Sequence, residues 1–241
     1  GMMTNGSGCG CDLASERPMV RKYVVESVLY WATAYHIDGF RFDLMALEDV
    51  DTMNAIRAAL DSLPGGESIL LYGEPWMGGG TNLEGGARPA DKRALDALHE
   101  RIGFFCDDTR DCIKGNVFDA ANAGYVNGAP QHGYDVLHSI SAWRSGAHGF
   151  WPKRAGQDVS AHDNYTLWDK LAAVGRRGDY DCPDADLLAQ NRMTAGIYLT
   201  CQGLPFMQAG EEWGRTKHGD HNSYKGPLAT NRLDWTRAHR P

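Results

Sequence analysis

The stretch Ile37-Asp38-Gly39-Phe40-Arg41-Phe42-Asp43-Leu44 decides the reading of the fold. Alternation separates Phe40 and Phe42 from Gly39, Arg41 and Asp43, as expected of a short buried strand whose two faces have different jobs. Upstream, Ser15 reads as a helix cap and Pro18 is tolerated in the first turn. Val20, Val24, Val28, Trp31 and Tyr35 then recur at helical spacing, ending near His36. Downstream, Val50, Met53, Arg57, Leu60 and Leu63 form one helical stripe that stops at Pro64-Gly65-Gly66, and Ser68 to Tyr72 read as a second apolar strand. Strand, helix and strand at this spacing make a parallel crossover.

The pattern continues with strands expected at Ile102 to Phe105, near Val159 to Ala161 and at Leu204 to Gln208, and a long helix from Asp186 to about Cys201. Alternating strands and helices imply an α/β fold with a parallel sheet and outer helices, either a barrel or a doubly wound sheet. Residues 114–153, rich in Gly, Asn, His and Ala, read as long connections with short helical pieces.

In parallel barrels the carboxyl ends of strands build the active site. Three such ends carry an acid: Asp43, Glu74 in Tyr72-Gly73-Glu74-Pro75-Trp76, and Asp163 in Ala161-His162-Asp163-Asn164. Asp43 and Glu74 lie 31 residues apart, one crossover unit, which suits adjacent strands about 4.8 Å apart. Retaining glycosidases hold their two carboxyl groups roughly 5 to 5.5 Å apart, one to attack the sugar and one to shuttle the proton. A lone Asp at a strand end is most often a helix cap, but Arg41, two residues earlier on the same strand face, offers a cation that orients Asp43. Trp76 reads as a sugar-facing wall or a core Trp. His162-Asp163 has no third ligand at a metal-binding spacing, so sugar chemistry is favoured over metal.

Composition limits the alternatives. The 241 residues are 42% hydrophobic, enough for a sizeable core, and carry a net charge of -7 with dispersed Lys and Arg, which argues against a nucleic-acid partner. No apolar run suits a membrane span and no signal peptide is legible, so a cytoplasmic location is favoured. Cys9, Cys11, Cys106, Cys112, Cys182 and Cys201 lack zinc spacing and read as free thiols. Gly1 ahead of Met2 is set aside as a remnant of expression.

The chain resembles the α-amylase superfamily of glycoside hydrolases. Ile37 to Met45, Gly73-Glu74-Pro75-Trp76 and His162-Asp163-Asn164 are similar to three of its four signature regions, in order. Flanking motifs narrow the resemblance to type I pullulanases: Gly6 to Gly10 leading to Ala14 to Val20, Asp107 to Asp111, Thr166 to Leu171, Ala209 to Glu212, Asn222-Ser223-Tyr224, and Asn231 to Trp235. The resemblance implies Asp43 as nucleophile, Glu74 as general acid and then base, and Asp163 as the carboxylate that steadies the distorted sugar. Arg41, His162, Trp76, Asn164 and Asn222 are implied as substrate-binding residues.

It implies cleavage of α-1,6 branch linkages in pullulan, amylopectin and limit dextrins, with an α-glucan as partner and no cofactor; calcium is not readable. The expected fold is a partial (β/α)8 barrel, from the third helix through the eighth strand. Residues 1–15 are expected to be an N-terminal extension and 16–241 an incomplete catalytic domain. The first signature region of the family, an Asp and an Asn-His pair, does not occur in this sequence. The isolated chain is therefore expected to turn over weakly or not at all, and to self-associate through uncovered sheet edges or be marginally stable as a monomer. Two alternatives stay open: a non-catalytic glucan-binding or assembly fragment, and another enzyme of the superfamily such as an isoamylase or branching enzyme.

Overall fold

The computed structural model describes residues 3–142, 155–175, 179–181 and 184–239. The chain divides into two compact units, Gly1–Phe105 and Cys106–Pro241. Cys182 and part of the expected 114–153 connection lie outside the described residues. The other five cysteines are free thiols. Among the described residues, no helix is long and apolar enough to cross a membrane.

In the first unit, helix α1 (Pro18–Ala34) leads to β1 (Gly39–Phe42), α2 (Val50–Asp61), β2 (Leu70–Gly73) and β3 (Gly103–Phe105). The strands are parallel, with Gly39 opposite Leu70, Phe42 opposite Gly73, and Gly73 opposite Phe104. Asp49 caps α2 by accepting from the Thr52 N–H at 3.1 Å. The helix then buries Met53, Ile56 and Leu60 completely, each worth about 1.5 to 3 kcal/mol relative to exposure. Arg57 shares that buried stripe because its guanidinium reaches the Ile69 and Gly66 carbonyls, at 2.6 and 2.7 Å, where the chain enters β2.

Several sequence expectations need correction here. Ser15 is not the cap of α1; Arg17 holds that position without a side-chain bond. Ser15 is instead buried, donating to Asp49 Oδ2 at 2.7 Å and accepting from the Asp49 N–H at 2.8 Å, so it ties the start of α1 to the start of α2. The expected α1 stripe buries Val28, but Trp31 and Tyr35 are exposed and meet each other and Tyr30 edge to face or tilted. β1 is half-buried throughout rather than buried on one face.

The second unit contains α3 (Asp107–Lys114), α4 (Gly133–Ile140), β4 (Ala155–Gln157), α5 (Leu167–Val174), α6 (Ala185–Tyr198) and β5 (Leu204–Pro205), with β4 and β5 parallel. Its core joins Ile113, Val136, Val159, Leu167, Trp168, Leu171, Leu187 and Tyr198. The fourth strand was expected near 159–161 and lies at 155–157. Ala155, Gly156 and Gln157 have little intrinsic strand signal, but all three are buried, and Gln157 Nε2 donates to the Ser139 and Gln202 carbonyls. α3 goes beyond the elements expected from the sequence; Asp107 and Asp108 in its first turn and Lys114 in its last suit the helix dipole.

Candidate active site

In the first unit, Asp43 and Glu74 occupy equivalent places, each the residue directly after its strand. The Glu74 N–H continues the ladder by donating to the Phe42 carbonyl at 3.0 Å, which fixes one strand end against the other. Gly73 makes this approach possible: a Cβ there would stand 2.7 Å from both Met45 Cβ and the Phe42 carbonyl.

Arg41 joins the two acids. Its Nη1 donates to Asp43 Oδ1 and its Nη2 to Glu74 Oε1. The two carboxylates bring oxygens within 4.8 Å of each other. The guanidinium stands 5.3 Å from the centre of the Phe105 ring, which meets Tyr72 edge to face.

The two acids differ sharply in access. Glu74 is 3% exposed, and its second oxygen accepts from the Leu44 N–H at 2.8 Å. The Asp43 side chain is 59% exposed. Leu44 adopts the left-handed conformation, φ 44° and ψ 50°, which costs about 1 to 2 kcal/mol for a residue with a Cβ and turns its N–H toward Glu74. Trp76, half-buried, follows the buried Pro75 in the next loop. The N-terminal residues meet that loop, since Gly6 accepts from the Gly79 N–H at 2.8 Å and its own N–H donates to Asp12 at 2.6 Å.

In the second unit, His162 and Asp163 lie in the irregular segment between β4 and α5. Both are half-exposed and face each other, with His162 Nε2 3.5 Å from Asp163 Oδ1. Asn164 is left-handed at φ 59°. Tyr165 stacks on His221 at 5.3 Å between ring centroids, which sets the exposed Asn222, its chain neighbour, near this segment. Asp43 and Glu74 therefore stand at strand ends as expected, whereas Asp163 does not: β4 ends at Gln157, and Asp163 lies within the irregular segment beyond it.

Sequence reasoning missed the buried polar groups behind 160–164, namely Gln208, Glu211 and Lys217. Glu211 was noted only within the Ala209 to Glu212 resemblance. Its partners Tyr198 and Ser160 lie 13 and 51 residues away, so no local spacing announces them. Burial pushes its carboxyl above the usual range, partly offset by the hydroxyl donors Ser160 and Tyr198.

No protein-family model matches the chain. The pullulanase of Bacillus subtilis strain 168 is 38% identical to it over 245 residues, covering 98% of this chain and 32% of that protein. The structure of a Paenibacillus barengoltzii pullulanase in complex with maltohexaose and α-cyclodextrin matches with a TM-score of 0.88 at 39% identity, covering 99% of this chain and 36% of that one. An Anoxybacillus sp. LM18-11 pullulanase complexed with maltotetraose matches with a TM-score of 0.88 at 36% identity, covering 100% of this chain and 34% of that one.

The fold is therefore α/β, a partial (β/α)8 barrel of the kind found in these glycoside hydrolases. The chain is a pullulanase homologue, matching one part of a larger pullulanase. It spans about a third of the length of the relatives it matches.

Proposed function

We propose that this chain carries the catalytic carboxylates of a retaining glycoside hydrolase that debranches α-glucans at α-1,6 linkages. The observation that carries the reading is Arg41 bridging Asp43 and Glu74, whose carboxylate oxygens come within 4.8 Å. That separation suits direct attack on a sugar carbon with no room for an intervening water, the arrangement of retention.

In this reading the exposed Asp43 attacks the anomeric carbon while Glu74 gives its proton to the departing glycosidic oxygen. The Asp43 ester is then hydrolysed by water that Glu74 deprotonates, which returns the proton to Glu74. Asp163 stabilises the positive charge that develops on the ring, and Arg41, His162, Trp76, Asn164 and Asn222 contact the sugar. Residues 16–241 form the catalytic portion, with 1–15 as its extension. The substrate class follows the pullulanases, two of which are seen with maltohexaose and with maltotetraose.

The 241-residue polypeptide by itself hydrolyses pullulan weakly or not at all, since it spans a third of its relatives and misplaced substrate costs rate steeply. It self-associates through uncovered strand edges and the exposed Tyr30, Trp31 and Tyr35.

The test exchanges the matched third of the Bacillus subtilis pullulanase for this chain and assays reducing ends from pullulan and from amylose. Release from pullulan and not from amylose supports debranching. Release from amylose alone would overturn it. Solution mass of the 241-residue chain decides the self-association.

A further inference from the structure

We propose that Glu211 is the positioning residue of the His162–Asp163 segment, clamping residues 160–164 from the loop that follows β5. The inference rests on the reading of His162 and Asp163 as sugar contacts, and extends it to side chains that touch no sugar.

The segment between β4 and α5 is irregular, so no ladder or helix satisfies its polar groups, and such backbone keeps one shape only when other groups meet it. Three consecutive residues are met in turn. Ser160 Oγ donates to Glu211 Oε2, Gln208 Nε2 donates to the Ala161 carbonyl, and Lys217 Nζ donates to the His162 carbonyl at 3.4 Å and to Ser223 Oγ at 3.1 Å. All three partners come from residues 208–217.

Glu211 is itself fixed from elsewhere. Tyr198 Oη, at the end of α6, donates to Oε1 at 2.7 Å; Asn191 Nδ2 donates to its carbonyl at 3.2 Å; and its own N–H donates to the Gln208 carbonyl at 3.0 Å. A carboxyl buried to 4% exposure is a costly way to fill space, and an apolar side chain would fill it better. What a carboxylate supplies is acceptors for two hydroxyls at once, one on the rigid helix and one on the irregular segment. Ser160 stands two residues before His162, so the clamp sets where the imidazole and the Asp163 carboxylate stand.

Glu211→Gln in the 241-residue chain tests this, because the amide removes the charge and sets an NH2 where one of the two hydroxyls now donates to an oxygen, so a charge-assisted bond of the clamp is lost. Amide hydrogen exchange over 160–164 should quicken about tenfold or more, the scale of a lost charge-assisted hydrogen bond, while the protected amides of α5 and α6 keep their rates. The His162 ring resonances, assigned by their loss in His162→Asn, should shift. Ser160→Ala, which removes only the donor, gives the same readout if Glu211→Gln does not fold.

Unchanged exchange over 160–164 with an unmoved His162 resonance, in whichever variant folds, would overturn the proposal, as would uniform acceleration through α5 and α6. Titration with maltotetraose separates the clamp from the sugar reading. Quickened exchange with weaker maltotetraose binding upholds both. Quickened exchange with unchanged affinity upholds the clamp and counts against the sugar role of His162 and Asp163.

Discussion

Two buried glutamates, one in each unit, solve the same problem in different ways. Glu74 is met by a cation, Arg41, and by the Leu44 N–H, and it stands at the end of a regular strand. Glu211 is met at its carboxylate by two neutral hydroxyls, Ser160 and Tyr198, and it holds an irregular segment in place. A carboxylate paired with a guanidinium on its own sheet has its geometry set by strand register. One paired with hydroxyls from distant elements has its geometry set by tertiary packing, and its charge is less well compensated.

The comparison breaks most easily at Arg41. Arg41→Met leaves the buried Glu74 without its cation, and removing one partner of a buried pair costs about 3 kcal/mol or more, read as a lower urea midpoint for the first unit. The double variant Arg41→Met/Glu74→Gln should recover much of that loss. If the single variant keeps its midpoint, Glu74 does not depend on Arg41 and the contrast collapses.

A smaller effect is expected at the strand ends. Gly73→Ala puts a Cβ into backbone and Met45, 2.7 Å away, which should cost about 1 to 3 kcal/mol through forced displacement. Calorimetry showing an unchanged midpoint would mean that register alone does not fix the Asp43–Glu74 approach.

The smallest effect sharpens the second unit's side. Burial raises the Glu211 carboxyl above its ordinary 4.5, so the folded state holds that proton more tightly than the unfolded one. Its contribution to stability is therefore full below 4.5 and is lost as pH rises through the higher folded value. Wild type should lose stability relative to Glu211→Gln as pH rises through that window, compared through urea midpoints at several pH values. A difference that stays flat with pH would contradict the burial argument.

The same contrast explains what could be read in advance. Asp43, Glu74 and Arg41 were legible because strand alternation and a single crossover fix which residues share an end, and both are local patterns. The β4 position was not, because Ala155-Gly156-Gln157 becomes a strand through burial and through Gln157 bonds to Ser139 and Gln202, 18 and 45 residues away. Ser15 misled for a related reason: it looks like a local cap, yet its hydroxyl serves Asp49, 34 residues on. Glu211, Gln208 and Lys217 were illegible by spacing, since each meets its partner across 47 to 55 residues.

The central claim is that Glu74 moves the proton in an α-1,6-glucan hydrolase. The direct measurement is turnover of pullulan by the Bacillus subtilis pullulanase whose matched third is replaced by this chain, with Glu74 or with Glu74→Gln. Glutamine keeps the shape but cannot supply a proton, so the account predicts a loss of about 100-fold to 10,000-fold in kcat with maltotetraose binding nearly intact. Equal turnover by the two proteins would contradict it.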